Sequence, residues 1–192
     1  MVRQSLFVLL CAATCASAAN KLYTKRCERI ERGTTQLCRA AERGDIWTVR
    51  SLLAECPQLA NGRELTGWSP LRSAVCGGHR AVVDVLLRSG ADPSLADSAG
   101  TTALHDAVAT RSGQIARRLL DAGVDINAAN VTGDTPLHIA ARLGYGELVG
   151  MLLSRGANPD ARNKVGRTAA DLSGAWEADD RARDGSHAIS GT

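Results

Sequence analysis

Apolar and polar positions along this chain recur in blocks. Leucine pairs stand at Leu52-Leu53, Leu86-Leu87, Leu119-Leu120 and Leu152-Leu153. Ahead of three of them runs a shorter apolar stretch: Leu71 with Ala74-Val75, Leu104 with Ala107-Val108, and Leu137 with Ala140-Ala141. Each block therefore predicts two helices. Glycines separate the pair at Gly44, Gly78 and Gly144 and close it at Gly90, Gly123 and Gly156, where the chain needs a turn or a left-handed residue. In the third copy Arg111 takes the first glycine column and Gly113 follows two places later, so a distorted turn is expected there. A hydroxyl at Thr35, Ser69, Thr102, Thr135 and Thr168 can accept a hydrogen bond from a free N–H and open the first helix. Pro70 and Pro136 follow at the first helical position, where a missing N–H costs nothing.

The segment Gly67-Trp68-Ser69-Pro70-Leu71 returns as Gly100-Thr101-Thr102-Ala103-Leu104 and Gly133-Asp134-Thr135-Pro136-Leu137, a period of 33 residues. A fixed period of this size means stacked copies of one small unit, not one closed core. Each fully buried Leu contributes about 1.5–3 kcal/mol, so the leucine pairs are expected to dominate the stack. Truncating Leu120 to alanine is expected to cost about 2–5 kcal/mol.

The run Thr135-Pro136-Leu137-His138-Ile139-Ala140-Ala141, with Gly144, Leu152-Leu153 and Gly156-Ala157-Asn158, resembles an ankyrin repeat. The resemblance covers about residues 33 to 176. It implies an all-α repeat solenoid, an ankyrin stack of helix-turn-helix units with loop or β-hairpin fingers. The expected divisions are an N-terminal flank 19–32, a capping repeat 33–66, and repeats 67–99, 100–132 and 133–165. A truncated cap 166–176 and a polar, disordered tail 177–192 follow. His105 and His138 occupy a column that the family uses for hydrogen bonds to backbone between repeats.

The resemblance also implies binding of a protein partner, of unidentified kind, on a concave face built from fingers and first helices. Columns that vary while the scaffold stays fixed are the candidate contacts. After each finger glycine these are Trp68, Thr101, Asp134 and Arg167. At the first-helix ends they include Arg43 and Arg142, with Tyr145 beside them. Trp68 is the expected anchor, because Trp and Arg dominate interface hot spots. A monomer is expected.

Composition narrows the alternatives. The chain has 192 residues, 44% of them hydrophobic and only 3% aromatic, so its core must be aliphatic. A net charge of +3, with no basic stripe and no stacking aromatics, argues against nucleic acid. Arg3, an apolar run Leu6 to Ala13 and the small residues Ala16-Ser17-Ala18 have the order of a signal peptide over 1–18. That run is too short for a stable membrane anchor. Export to the periplasm or beyond is expected, as in exported ankyrin chains of Gram-negative bacteria; without cleavage the protein would stay cytoplasmic.

Cleavage would reduce the six cysteines to Cys27, Cys38, Cys56 and Cys76. Their even number permits two disulfides of unassigned pairing. The competing functions are thiol or redox protection through these cysteines, and a secreted effector that binds host proteins. No nucleophile–base pair and no metal-ligand spacing stands out, so no enzymatic activity and no cofactor is expected.

Overall fold

The computed structural model describes residues 32–64 and 67–173. The expected signal segment 1–18, most of the flank, Cys27 and the tail lie outside the described residues.

Helices α1 (32–43) and α2 (Ile46–Glu55) form the first pair, followed by a short 3-10 turn at Pro57–Asn61. Three further pairs are α3 (Pro70–Cys76) with α4 (Arg80–Arg88), α5 (Ala103–Ala109) with α6 (Gly113–Asp121), and α7 (Pro136–Arg142) with α8 (Gly146–Ser154). A short α9 (169–173) ends the described chain. Helices α3, α5 and α7 each pack on their own second helix, and α3 packs on α5 and α5 on α7. Second helices pack likewise, α2 on α4 and α4 on α6.

The stacking follows from the apolar columns. Leu86, Leu119 and Leu152 are fully buried at equivalent places, as are Ala74, Ala107 and Ala140 on the first helices. Small alanines at those places let neighbouring helices approach closely. In these three copies the second leucine of the pair does not share this role. Leu87 and Leu120 are half-buried and Leu153 is exposed. Successive helical residues point about 100° apart, so only one of two neighbours can face the seam. Leu120 packs at the edge of the core, and the full truncation cost belongs to Leu119. In the capping copy the buried leucine is Leu53, and the 3-10 turn adds Leu59 and Ala60 to the core.

The turn at Arg111 is not distorted. Arg111 takes φ 55°, close to the 75°, 72° and 69° of Gly44, Gly78 and Gly144. Ser112 N–H donates to the Ala107 carbonyl at 2.8 Å, as His79 does to Ala74 at 3.0 Å and Tyr145 to Ala140 at 2.9 Å. The packed repeats on either side hold the arginine in the left-handed region that the glycine column requires.

The fingers are loops; no strand occurs among the described residues. Each closes on itself through two backbone bonds: Asp97 N–H to Thr101 O at 3.1 Å with Gly100 N–H to Asp97 O at 3.0 Å, Asn130 to Asp134 at 3.1 Å with Gly133 to Asn130 at 2.9 Å, and Asn163 to Arg167 at 3.0 Å with Gly166 to Asn163 at 2.8 Å. Val131 N–H donates to Ala99 O at 2.8 Å and Lys164 N–H to Thr132 O at 3.0 Å. These single bonds join neighbouring fingers without forming a ladder. A side chain at Gly133 would place its Cβ 2.7 Å from Lys164 N, so the fingers touch backbone to backbone there. On the second helices, Asp84 pairs with Arg118 at 2.7 Å and Asp121 with Arg155 at 2.8 Å. Such surface pairs contribute about 0–1 kcal/mol each, but they fix the same register twice. No described helix is long and apolar enough to cross a membrane.

Candidate functional site

The fourth position after each finger glycine–variable pair carries Arg72, His105 and His138 in successive copies. The two histidines do the same thing. Thr102 N–H donates to His105 Nδ1 at 3.2 Å, which leaves the proton on Nε2 to donate to the Asp134 carbonyl at 3.1 Å. Thr135 N–H and His138 Nδ1 lie 3.2 Å apart, and His138 Nε2 reaches the Arg167 carbonyl at 3.1 Å. Each imidazole thus closes its own helix cap and ties it to the next finger.

Burial holds the His105 imidazole below its ordinary value, outweighing the pull of the Asp134 carbonyl and the Asp106 carboxylate. Below about pH 6.5 the unfolded chain therefore binds the extra proton that the folded chain refuses. This contribution to stability is complete above about pH 6.5 and is lost as the pH falls toward the folded value. The urea midpoint should drop as the pH falls below about 6.5, and His105→Gln should flatten that part of the profile. Parallel profiles for the two proteins would contradict this account.

Arg72 breaks the column and builds something different. Its guanidinium is only 3% exposed. Nε and Nη2 donate to the two oxygens of Asp106, the second at 3.1 Å, and Nη1 lies 2.7 Å from Asp97 Oδ2. Burial opposes the charge, but the bonds to Asp106 and Asp97 outweigh it and hold the pKa of Arg72 above its ordinary value. Asp97 meets the same opposition from burial, and the Arg72 and Thr101 bonds hold its carboxyl below the usual range. The Arg72 Cζ also sits 4.7 Å from the centroid of the Trp68 ring. Trp68 is therefore half-buried and held by a cation, itself fixed by the next repeat. Such a contact contributes roughly 0.5–2 kcal/mol.

The expected contacts divide into three kinds. Trp68 stays partly in solvent on its Arg72 support. Arg43, Arg142 and Arg167 are exposed, while Thr101 is half-buried with its N–H and carbonyl both tied to Asp97. Asp134 is a correction to the sequence reading: it is only 4% exposed and turned inward. Its Oδ1 accepts from Asn163 Nδ2 at 2.8 Å and its Oδ2 from Arg142 Nη1 at 2.7 Å. Burial opposes its ionisation, but these two donors hold its carboxyl below the usual range. Asp134 positions Arg142 and cannot itself meet a partner. Tyr145 is half-buried, with the Arg111 Cζ 5.4 Å from its ring centroid.

Two features escape column reading. Arg72 is one, although an arginine in the column that carries His105 and His138 in the next two copies, with Asp97 later in its own copy and Asp106 in the next, is a visible charge pattern. Trp47 on α2 is the other, 80% exposed, where the other copies carry Ala81, Gln114 and Glu147.

The disulfide expectation is also corrected. Cys38, Cys56 and Cys76 are free thiols. They occupy separate environments: Cys38 is buried on α1, Cys56 closes α2 against the core, and Cys76 ends α3 near Asp106 and Arg72. Burial and the nearby Glu64 push the Cys38 thiol up to about 12, and burial with Asp106 pushes Cys76 up to about 11. The thiolate is the nucleophile, so these positions are poorly suited to thiol chemistry at neutral pH. Cys27 lies outside the described residues.

Comparison with known proteins agrees with the geometry. The family described as Ankyrin repeats (3 copies) matches residues 7–97 and 86–163; the first match begins inside the segment expected to be a signal peptide. Human Ankyrin repeat and SOCS box protein 1 is 41% identical over 78 residues, 37% of this chain and 23% of that protein. NAD-capped RNA hydrolase NUDT12 of Macaca fascicularis is 38% identical over 84 residues, 44% of this chain and 18% of its own length. Ankyrin repeat protein YahD of Escherichia coli (strain K12) is 38% identical over 77 residues, 38% of each chain. The chain thus spans less than two-fifths of the length of these relatives. With paired helices, looped fingers, histidine latches between copies and a family match over most of its length, the chain belongs to the ankyrin repeat family.

Proposed function

We propose that this protein is a non-catalytic binding module that holds one protein partner against its fingers and first helices, with Trp68 as the anchor. Ankyrin repeats imply protein–protein interaction, and the observation that carries the finer reading is the support beneath Trp68. A tryptophan kept partly in solvent, on a buried arginine fixed by Asp97 and Asp106, is preorganised before any partner arrives. Preorganisation lowers the entropic cost of binding. The order of residues in 1–18 supports export, and we propose that the partner is met in the periplasm or outside the cell.

The test is affinity capture from the native compartment with wild type, Trp68→Ala and Arg117→Ala, the last an exposed residue on second helix α6. A protein retained saturably by wild type and Arg117→Ala, and more than about tenfold more weakly by Trp68→Ala, is the expected result. Equal retention by all three, or no saturable partner, would remove the anchor.

A further inference from the structure

Charged groups on the binding flank are held differently at its two ends. At the N-terminal end one guanidinium, Arg72, meets two carboxylates, Asp97 and Asp106. At the C-terminal end the guanidiniums lie at the surface instead of being buried. Arg111, Arg142 and Arg167 are exposed, and the carboxylates near them are already engaged. Asp134 is buried between Asn163 and Arg142. Asp171, the charge beside Arg167, accepts from Thr168 N and Oγ1, each at 2.9 Å.

The exposed arginines are also held in place. Asp134 takes one nitrogen of Arg142, whose side chain remains 50% exposed with its other donors unengaged among the described residues. Arg111 rests on the Tyr145 ring. The Arg167 carbonyl accepts the His138 latch, while its guanidinium has no hydrogen bond among the described residues. Apolar surface adjoins two of these cations: Leu143, next in the chain to Arg142, is 45% exposed, and Tyr145, under Arg111, is half-buried. A guanidinium fork matches a carboxylate in geometry as well as charge.

We propose that the C-terminal end of this flank takes an acidic segment of the protein partner, with carboxylates on Arg111, Arg142 and Arg167 and an apolar side chain against Leu143 and Tyr145. This inference rests on the binding reading above. The apolar surface beside Arg111 and Arg142 selects a peptide over a bare polyanion. Asp134 is a positioning residue for Arg142.

The experiment uses the full chain and a short fluorescein-labelled peptide of alternating Glu and Leu, followed by fluorescence anisotropy. A Lys-Leu peptide is the charge control; a single-stranded oligonucleotide and phosphatidylglycerol vesicles are the polyanion controls. The Glu-Leu peptide should bind saturably and weaken several-fold with added salt. The Arg142→Glu/Arg167→Glu variant should bind it at least about tenfold more weakly and gain affinity for the Lys-Leu peptide. Asp134→Asn should weaken the Glu-Leu peptide and Asp134→Glu should restore it, a rescue that a purely structural lesion would not show. No binding of the Glu-Leu peptide, equal binding of the two peptides, or tighter binding of oligonucleotide or vesicle would overturn the proposal. A captured partner lost on Trp68→Ala, together with indifference to the Glu-Leu peptide, would overturn the charge inference and leave the binding reading standing.

Discussion

Arg72→Ala will destabilise the protein by about 3–5 kcal/mol, the cost of removing one member of a buried charge cluster. The loss arises from what stays behind. Asp97 and Asp106, 13% and 14% exposed, would face each other across the vacated guanidinium site. Trp68 would lose its support in the same step. Replacing all three members, Arg72→Met with Asp97→Asn and Asp106→Asn, should recover most of the stability, because no uncompensated charge remains. Urea midpoints for the single and triple variants are the measurement. A triple variant as unstable as the single one would place the energy in packing instead. The acid side gives an independent reading. Asp97 is held below its ordinary value, so its contribution is present above about pH 4 and is lost as the pH falls through the folded value. Without Arg72 that acid-side loss should shrink.

Leu119→Ala will cost about 2–5 kcal/mol, and Leu120→Ala markedly less. Leu119 is fully buried on α6, in the middle of the stack, with repeats on both sides that cannot collapse into the space it leaves. Leu120 is half-buried and already gives part of its surface to water. Because each copy touches only its neighbours, the lesion should lower protection from hydrogen exchange most in the helices beside α6. Equal costs for the two leucines would mean that the seam does not run through this column.

What the sequence made legible is what repeats. Positions that return in the full repeats have the same mechanical reason each time, so the cap hydroxyls Ser69, Thr102, Thr135 and Thr168, the turn glycines and the Leu86–Leu119–Leu152 seam could be read from spacing alone; Thr35 could not, because α1 begins ahead of it and places it inside the helix. The leucine pairs show the limit of that reading. Spacing brings both leucines to one turn of helix, and only packing decides which faces inward. The binding flank was legible as a region and not as contacts. Asp134 varies between copies as a contact residue would, yet its carboxylate is engaged by Asn163 and Arg142. Arg72 depends on Asp106, 34 residues later, and on a different element. The cysteines failed for a simpler reason: an even count says nothing about whether two sulfurs share an environment.

Arg111 gives the fold one further meaning. A non-glycine residue in the left-handed region costs on the order of 1 kcal/mol, and three of the four equivalent turns avoid that cost with glycine. This copy tolerates the strain and gains a guanidinium braced on Tyr145. Consensus repair of this position would therefore exchange recognition for robustness, so the least regular corner of the scaffold is also a poor place to idealise it.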